Sequence, residues 1–535
     1  MTEQVTKAYQ QYDQGVDYKT RIDLYRTVDV NERFFSNDHW KGIPHENLPT
    51  PIVPFIKRAC VYLIAAMTDR RTKMRVTEIL PSYDKEKEII IKQISTLFEV
   101  LWERLKMDYM TKRGLRNACV TGDYIQYFLW DTNLKTGQPQ KGDISTQIID
   151  NVCYYPGNPN SPDVQSQPYI ILTGRELVAS VRKEAQDNKQ NFELITGDSD
   201  TDYTSGDRGK IELEDHSKVT VLTKLFKKDG TVWIERSTKS CVISPEKNTK
   251  LERYPVALMN WEERSNSCHG TAEATGLVPN QVYINKMMAL AQVYQFLMSF
   301  PKTIFNGAMV EEWDNTVGGA IKASGDPREV AFILQAGTMS FDVWRGIETT
   351  LAKSMEMMGA TDVALGNIKN PDNTSAFIAT RDAAMAPLQS KQERFYEFVE
   401  DVGMIWLDYI KAYYKGRMIP IKENDQILPI PMPDLDKLDL AVKIDVGPSH
   451  MWSEVQMIDT ANKLLNAGLI KFSEYVQMVP EGHVPDAEKL KERYKEVDDL
   501  QIEATKAGLT AQIAQAQMAI AQTQMPQEMP QQMPQ

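Results

Sequence analysis

One glycine-rich segment of the 535-residue chain, residues 137–142, has the spacing of a phosphate-binding loop. In such a loop, backbone N–H groups hold the phosphates of a nucleotide, a following lysine contacts them, and a hydroxyl binds Mg²⁺. Gly137 and Gly142 match the two glycines, but Asp143 stands where the lysine should be. The sequence therefore argues against a nucleotide-driven motor.

A second candidate is a run of alternating aspartates that begins like a calcium-binding loop, at Asp198, Asp200 and Asp202. Calcium needs a cage of oxygen ligands, which requires glycine at position six and glutamate at position twelve of the loop. Tyr203 and Gly209 occupy these positions. The pattern favours a solvated acidic loop, and we expect neither a metal nor any other cofactor.

Histidine and cysteine side chains supply no recognisable catalytic pattern. The histidines form no H-E-x-x-H frame, and His39 and His45 are predicted to be structural. Cys268 and His269 are neighbours in sequence, but a nucleophile and its base are defined by their positions in space. The five cysteines contain no C-x-x-C pair, which favours reduced thiols in a cytosolic assembly environment. We therefore expect no enzymatic activity.

The charge balance bears on possible partners. The chain has 61 Lys and Arg against 73 Asp and Glu, a net charge of −12. Tight binding of duplex DNA depends on neutralising phosphates with Lys and Arg, so this composition disfavours it. With 42% hydrophobic residues the chain can form several cores.

No segment predicts a membrane partner. The most apolar stretch, residues 51–67, contains Lys57 and Arg58 and is too short and too charged to span a bilayer. Residues 1–14 are polar and lack the apolar core of a secretory signal.

The spacing of apolar residues predicts the elements that would position any site. The first half is expected to contain helices and then strands, with a loop at residues 154–163. The Asp229-Gly230 pair predicts a tight hairpin between residues 219–226 and 231–235. The other elements expected here are helices at 51–67, 84–106, 111–120 (ending at Gly122) and 175–185, and strands at 124–130, 145–149 and 169–172.

The second half reads as a helix at residues 276–299, a small α/β insert with strands at 302–306 and 330–334, and a returning helix at 343–358. A loop at 359–373 then leads into a helix at 374–415, roughly 60 Å long at about 1.5 Å per residue. Pro387 should kink that helix, because proline removes a backbone hydrogen bond. A strand at 440–446, helices at 452–467, 471–479 and 486–500, and a Gln/Met/Pro-rich tail complete the prediction.

This order of helix, insert, helix, loop and long kinked helix resembles the tailed-bacteriophage portal (head–tail connector) family. Four strings in the same order also resemble the family, and the resemblance covers residues 31–497. The strings are residues 34–51 (FFSNDHWKGIPHENLPTP), 154–161 (YYPGNPNS), 253–286 (RYPVALMNW…HGTAEATGLVPNQVYINK) and 359–376 (GATDVALGNIKNPDNTSA).

The resemblance implies an elongated α+β subunit of portal type that assembles into a ring around a central channel. Its regions are then a wing (1–264), a first stem helix (265–299), a clip (300–342), a second stem helix (343–358), a tunnel loop (359–373), a long helix with a wing strand (374–450), a helical crown (451–500) and a tail (501–535).

The implied function is a ring at one capsid vertex of the virion, usually a dodecamer, through which double-stranded DNA is packaged and ejected. Implied partners are further copies of the chain, non-specifically contacted DNA, the terminase large subunit, head–tail adaptor and tail proteins, and the major capsid and scaffolding proteins. An acidic or neutral channel wall would let the duplex slide.

Two groups of site residues follow from this resemblance and from residue chemistry. In the tunnel loop, the amides and the single ammonium would contact DNA phosphates weakly and without reading sequence, or the loop would only seal neighbouring subunits together. In the clip, an aromatic anchor flanked by acids would dock the motor or the adaptor, or would pack between clip neighbours. The first group is Asn367, Lys369, Asn370 and Asn373, and the second is Glu311, Glu312, Trp313 and Asp314.

The alternative is another virion structural protein, such as a minor capsid protein or a tail-tube adaptor. Adaptors are usually much shorter and lack the order helix, insert, helix, so length and element order favour the portal.

Overall fold

The structure is a computed structural model that divides into two compact units, Met1–Thr68 with Thr72–Asp445 and Asp69–Arg71 with Val446–Gln535. The residues it describes are 3–45, 48–68, 72–78, 85–135, 141–198, 217–299, 302–310, 331–334, 341–358, 374–423, 426–431, 440–446 and 460–467, with Lys322, Ser324, Asp326, Leu435, Ile458, Ile470 and Tyr475.

Helices dominate both ends of the first unit. The helices are α1 (Glu3–Arg21), α2 (Leu24–Phe35), α3 (Phe55–Met67), α4 (Lys85–Arg104), α5 (Met107–Thr121), α6 (Val178–Asp187), α7 (Glu273–Ser299), α8 (Phe341–Met357) and α9 (Thr374–Tyr413). Short 3₁₀ turns lie at Asn151–Cys153 and Phe192–Leu194.

The strands alternate with these helices along the chain. They are β1 (Thr72–Glu78), β2 (Asp123–Asp131), β3 (Asp143–Ile149), β4 (Tyr154–Pro156), β5 (Tyr169–Leu177), β6 (Lys218–Lys228), β7 (Thr231–Ser237), β8 (Val242–Asn248), β9 (Val256–Asn260), β10 (Lys302–Phe305), β11 (Ala331–Leu334), β12 (Met418–Glu423), β13 (Gln426–Pro431) and β14 (Leu440–Val446).

These strands form separate sheets. One has the order β3-β2-β9 and another the order β4-β5-β6-β7-β8, and neighbouring strands in both are antiparallel. The pairs β10–β11 and β12–β13 are antiparallel two-stranded sheets, and β1 pairs with β14. Helices and antiparallel sheets in one chain confirm the α+β class.

The largest core lies between the three-stranded sheet, helices α3 to α5 and the C-terminal half of α9. Trp406 of α9 is fully buried, and its ring lies 5.6 Å from Phe98 and 6.2 Å from Phe128 between centroids. The Tyr409 hydroxyl donates to the Phe128 carbonyl at 2.9 Å. The long helix is therefore fixed to the sheet by burial of large aromatic side chains.

Several predicted elements are confirmed. The hairpin turns at Asp229 and Gly230, which adopt φ values of 52° and 76°, as a two-residue turn of this type requires. Helix α5 ends at Gly122, whose φ of 107° is one that a side chain resists. The predicted strand of residues 440–446 is present, and α9 spans 40 residues.

Two expectations in the first half were wrong. Tyr154–Pro156, predicted as loop, is the edge strand β4, where a proline is tolerated because an edge strand can spare its N–H. Residues 175–177, predicted to begin a helix, instead extend β5 along β6, and α6 begins at Val178. The cross-strand pairing overrides the helical spacing at this point.

The hairpin β12–β13 was not predicted, because prolines at 420, 429 and 431 argue against strands. In the observed register Pro420 faces Pro429, and Met418 faces Pro431. In an antiparallel ladder, pairs that exchange backbone hydrogen bonds alternate with pairs that do not. All three prolines lie in pairs of one kind, so the pairs of the other kind contain no proline and can form the hydrogen bonds.

In the second unit, residues 460–466 are helical, and the Tyr475 hydroxyl donates to the Asn462 side chain at 2.8 Å. The predicted helices at 471–479 and 486–500, apart from Tyr475, and the tail lie outside the described residues, as do the tunnel loop at 359–373 and residues 199–209 of the acidic loop.

Candidate functional site

The helices predicted to flank the insert, α7 and α8, pack against each other. The Asn280 side chain of α7 donates to the Ser354 hydroxyl of α8 at 3.0 Å. Gly346 of α8 faces the Tyr283 hydroxyl, and a β-carbon added at Gly346 would lie 3.4 Å from that oxygen. The two segments that the resemblance assigns to the stem helices thus pack side by side within the helices' observed bounds.

The far end of α7 exposes a run of large apolar side chains. Phe296 is 62% exposed, Leu297 49% and Met298 45%, and Leu290 one to two turns earlier is 50% exposed. In a monomeric soluble protein, consecutive exposed apolar residues on a helix are rare, because leaving them in water forfeits their burial free energy. The end of α7 therefore has the character of an interface.

The hairpin β10–β11 continues this apolar character directly after α7. Its strands read KTIF and AFIL in the register Lys302 with Leu334, and Ile304 is 58% exposed. A two-stranded ribbon is marginal in water without further contacts. We call the exposed residues Leu290, Phe296, Leu297, Met298, Ile304 and Phe305 the apolar end segment.

The opposite end of α7 is held by buried amides. Gln281 of α7 donates to the Val53 carbonyl at 2.5 Å, and Asn285 donates to His39 Nδ1 at 2.9 Å. His39 Nε2 in turn donates to the Phe34 carbonyl at 2.9 Å, so the ring is the neutral Nε2–H tautomer. Burial lowers the pKa of His39. The structural role predicted for His39 is confirmed.

A second buried cluster lies just before α7. Asp123 of β2 is fully buried and accepts from His269 Nδ1, the Asn260 side chain and the Gly270 N–H, each at 2.7 Å. These contacts fix the loop that leads into α7 onto the end of β2. Sequence inspection missed the pair, because 146 residues separate its members and no local motif marks them.

The arrangement does not activate Cys268. Burial raises the pKa of this thiol to about 12, whereas a nucleophilic cysteine needs a lowered one. His269 Nδ1 is bonded to Asp123, and burial lowers the pKa of the ring. All five cysteines are free thiols, as predicted.

Lys19 of α1 lies fully buried in the same region. Its ammonium donates to the Asn151 carbonyl at 2.7 Å and lies 3.6 Å from the centre of the Tyr155 ring. Burial lowers its pKa to about 7, because the charged form loses its hydration. Lys19 thus joins α1 to the rest of the unit at the cost of a buried charge.

Replacing Lys19 with methionine tests this cost. In the unfolded chain Lys19 has a pKa near 10.5, so between pH 7 and 9 the unfolded state binds more protons and stability rises with pH. We expect the stability of Lys19→Met relative to wild type to fall from pH 7 to 9 by up to about 1.4 kcal/mol per pH unit. Urea unfolding at pH 7, 8 and 9 measures the difference; exposed Lys353→Met is the control. If the difference in unfolding free energy between Lys19→Met and wild type does not change with pH, Lys19 does not have a lowered pKa in the folded chain.

The site residues predicted from the sequence lie outside the described residues. This applies to the tunnel-loop residues Asn367, Lys369, Asn370 and Asn373, and to the clip residues Glu311, Glu312, Trp313 and Asp314. Their roles stay predictions. The described segments on either side of the tunnel-loop residues are the end of α8 and the start of α9, and those on either side of the clip residues contain β10 and β11.

Among the described residues, no group of three or more His, Cys, Asp or Glu side chains could hold a metal ion. Within the same residues, no helix is both long enough and apolar enough to cross a membrane.

Comparison with known proteins adds no family to these observations. No protein-family model matches the chain, and no curated protein matches it significantly.

Proposed function

We propose that this chain is a portal-type subunit of a tailed bacteriophage. Copies assemble into a ring, twelve-membered in the family that the sequence resembles, at one vertex of the capsid. Double-stranded DNA passes through the central channel during packaging and ejection. The chain has a scaffolding and conduit role rather than an enzymatic one.

The observation that carries this proposal is the apolar end segment. Phe296, Leu297 and Met298 are exposed together, and the short β10–β11 ribbon follows directly after them. Neighbouring copies in a ring would cover these side chains and would stabilise the two-stranded ribbon, which is marginal by itself.

The order of the elements supports the same proposal. Two packed helices, α7 and α8, bracket the hairpin, and the 40-residue helix α9 follows. We assign α7 and α8 to the stem, residues 300–342 to the clip, residues 359–373 to the tunnel loop and residues 451–500 to the crown. The flanking α+β parts form the wing.

The net charge of −12 favours a channel through which DNA slides rather than a site that binds DNA tightly. In the proposed ring, Lys369 of every copy and the adjacent Asn367, Asn370 and Asn373 touch the passing duplex weakly and without reading its sequence. The clip tip with Trp313 docks the terminase motor and afterwards the adaptor and tail.

A tail-tube adaptor or minor capsid protein is the second candidate, since it would also expose apolar surface for assembly. The order helix, insert, helix and long helix favours the portal.

Electron microscopy of the purified full-length chain tests the proposal. We expect ring-shaped particles with an axial hole, and a mass near that of twelve copies of the 61.0 kDa chain, about 730 kDa. Mass photometry at the same concentration supplies the subunit number. Monomers at micromolar concentration, or compact oligomers without a hole, would exclude the portal assignment.

A further inference from the structure

Helix α1 covers only part of one face of the five-stranded sheet. Tyr9, Tyr12 and Val16 of α1 pack on a small buried cluster formed by Tyr155, Ile171 and Leu222 of the sheet. Residues directly opposite each other across strands point to the same side of a sheet. The face that α1 covers therefore continues along β5, β6 and β7 towards the β6–β7 turn, where the side chains are more exposed.

A row of three aromatic side chains crosses this continuation. Tyr169 of β5 is directly opposite Phe226 of β6, and Phe226 is directly opposite Trp233 of β7. All three are partly exposed. Phe226 and Trp233 pack on none of the buried clusters among the described residues, so their rings are not required for a core.

Amines stand beside these rings. Lys224 Nζ lies 5.8 Å from the Tyr169 ring centre and 5.6 Å from that of Phe226, and Lys228 Nζ lies 5.1 Å from that of Trp233. Lys224, Phe226 and Lys228 alternate along β6 and so share one face. The exposed Lys7 of α1 adds a further positive charge near Lys224.

Acidic groups also face this region. Glu235 is directly opposite Lys224 on β7, and Glu246 of β8 interacts with both. Glu235 is only 3% exposed, and burial raises its pKa. Lys228 and Lys7 are both exposed and therefore present their charge to solvent. The surface thus offers flat rings beside solvent-facing ammonium groups.

We propose that Tyr169, Phe226, Trp233, Lys224 and Lys228 form a binding surface for single-stranded nucleic acid. Unpaired bases stack on aromatic rings, and the phosphates between them pair with ammonium groups, irrespective of sequence. Neighbouring strands lie about 4.8 Å apart, so the row accommodates two or three successive bases. Duplex DNA is excluded because its base faces are already stacked. None of these five residues belongs to the proposed tunnel loop, and the inference goes beyond the proposed function.

Fluorescence anisotropy with labelled twelve-residue oligothymidylate tests the surface on the full-length chain. We expect Phe226→Ala to weaken binding about tenfold or more, because one stacking platform is lost. Lys228→Gln should reduce the slope of log affinity against log salt by about 0.7, the value for one phosphate contact on a single strand. Because Lys228 is exposed, we expect the Lys228→Gln chain to fold as wild type does, so its binding can be measured even if Phe226→Ala disturbs the sheet.

Tyr109→Ala on α5 is the matched control, since Tyr109 is 63% exposed and distant in sequence from the sheet. It should bind the oligonucleotide as wild type does. The proposal is overturned if the wild-type chain does not bind at 50 mM salt, or if Phe226→Ala binds as tightly as Tyr109→Ala. It is equally overturned if duplex DNA or a polyglutamate peptide competes as well as unlabelled single strand, since charge alone would then explain binding.

Discussion

Leu297→Asp should yield a folded chain that no longer forms rings. Leu297 is 49% exposed at the end of α7, so the aspartate is tolerated in the isolated subunit. In the assembled ring it would be buried among Phe296, Met298 and the neighbouring copy. An ionised carboxylate without a partner in such a place costs several kcal/mol. Because the cost recurs at every contact around the ring, we expect no closed particles at micromolar concentration.

Val61→Asp is the matched control for this variant. Val61 lies on α3, is 53% exposed and is outside the apolar end segment, so the same chemical change occurs there at similar exposure. Mass photometry should show rings for Val61→Asp and monomers for Leu297→Asp, while circular dichroism should show equal helix content. Rings of normal mass from Leu297→Asp would remove the apolar end segment from the interface.

Local signals in the sequence were sufficient to predict elements whose conformation depends on the residues within them. The Asp229-Gly230 turn and the α5 stop at Gly122 each depend on backbone angles that these residue types accept. The two helices around the insert follow from apolar spacing. Their contact was implied by the portal resemblance, which assigns them to the two stem helices, and the structure shows this contact.

Long-range pairing is what the sequence could not reveal. The edge strand β4 exists because β5 is beside it, and no local preference of Tyr154–Pro156 predicts this. The same holds for the hairpin β12–β13, where the placement of its prolines in alternate pairs matters and their number does not. A strand's stability comes from its cross-strand neighbours, which a single sequence does not specify.

The residues of the candidate site also differ in how far the sequence predicts them. The sequence shows that residues 296–298 are apolar and that Phe226 is aromatic. It does not show that these side chains are exposed, because exposure depends on the fold. Buried polar partners such as Asp123 with His269 come together only when distant segments meet. Asp143, which counted against a phosphate loop, is a further case of this kind.

Asp143 fixes the end of the long helix. Its carboxylate, 3% exposed, accepts from the Arg104 guanidinium and, at 2.5 Å, from the Tyr414 hydroxyl just beyond α9. Arg417, also 3% exposed, lies 3.8 Å from the carboxylate and donates to the Gly142 carbonyl at 2.5 Å. The Arg417 guanidinium is 4.9 Å from the Trp130 ring centre. The turn before β3 and the end of α9 are thus joined through one buried anion.

Asp143→Asn should therefore destabilise the chain by about 3–5 kcal/mol, the usual cost of removing one partner from a buried ion pair. The substitution keeps the shape of the side chain but removes the negative charge that faces the Arg104 and Arg417 guanidinium groups. Glu356→Gln is the control, because the Lys353–Glu356 pair is exposed, at 68% and 59% for the two side chains, and should contribute less than about 1 kcal/mol. Urea unfolding at pH 7 measures both free energies.

A double variant separates the lost charge from the lost packing. If the cost of Asp143→Asn arises because the Arg417 guanidinium loses the nearby Asp143 charge, then adding Arg417→Met should recover a large part of it, because methionine fills the space between Trp130 and Tyr414 without carrying a charge. If the double variant is less stable than Asp143→Asn by the full cost of Arg417→Met alone, the two side chains act independently. Additivity of that kind would contradict the ionic link between the β2–β3 turn and the long helix.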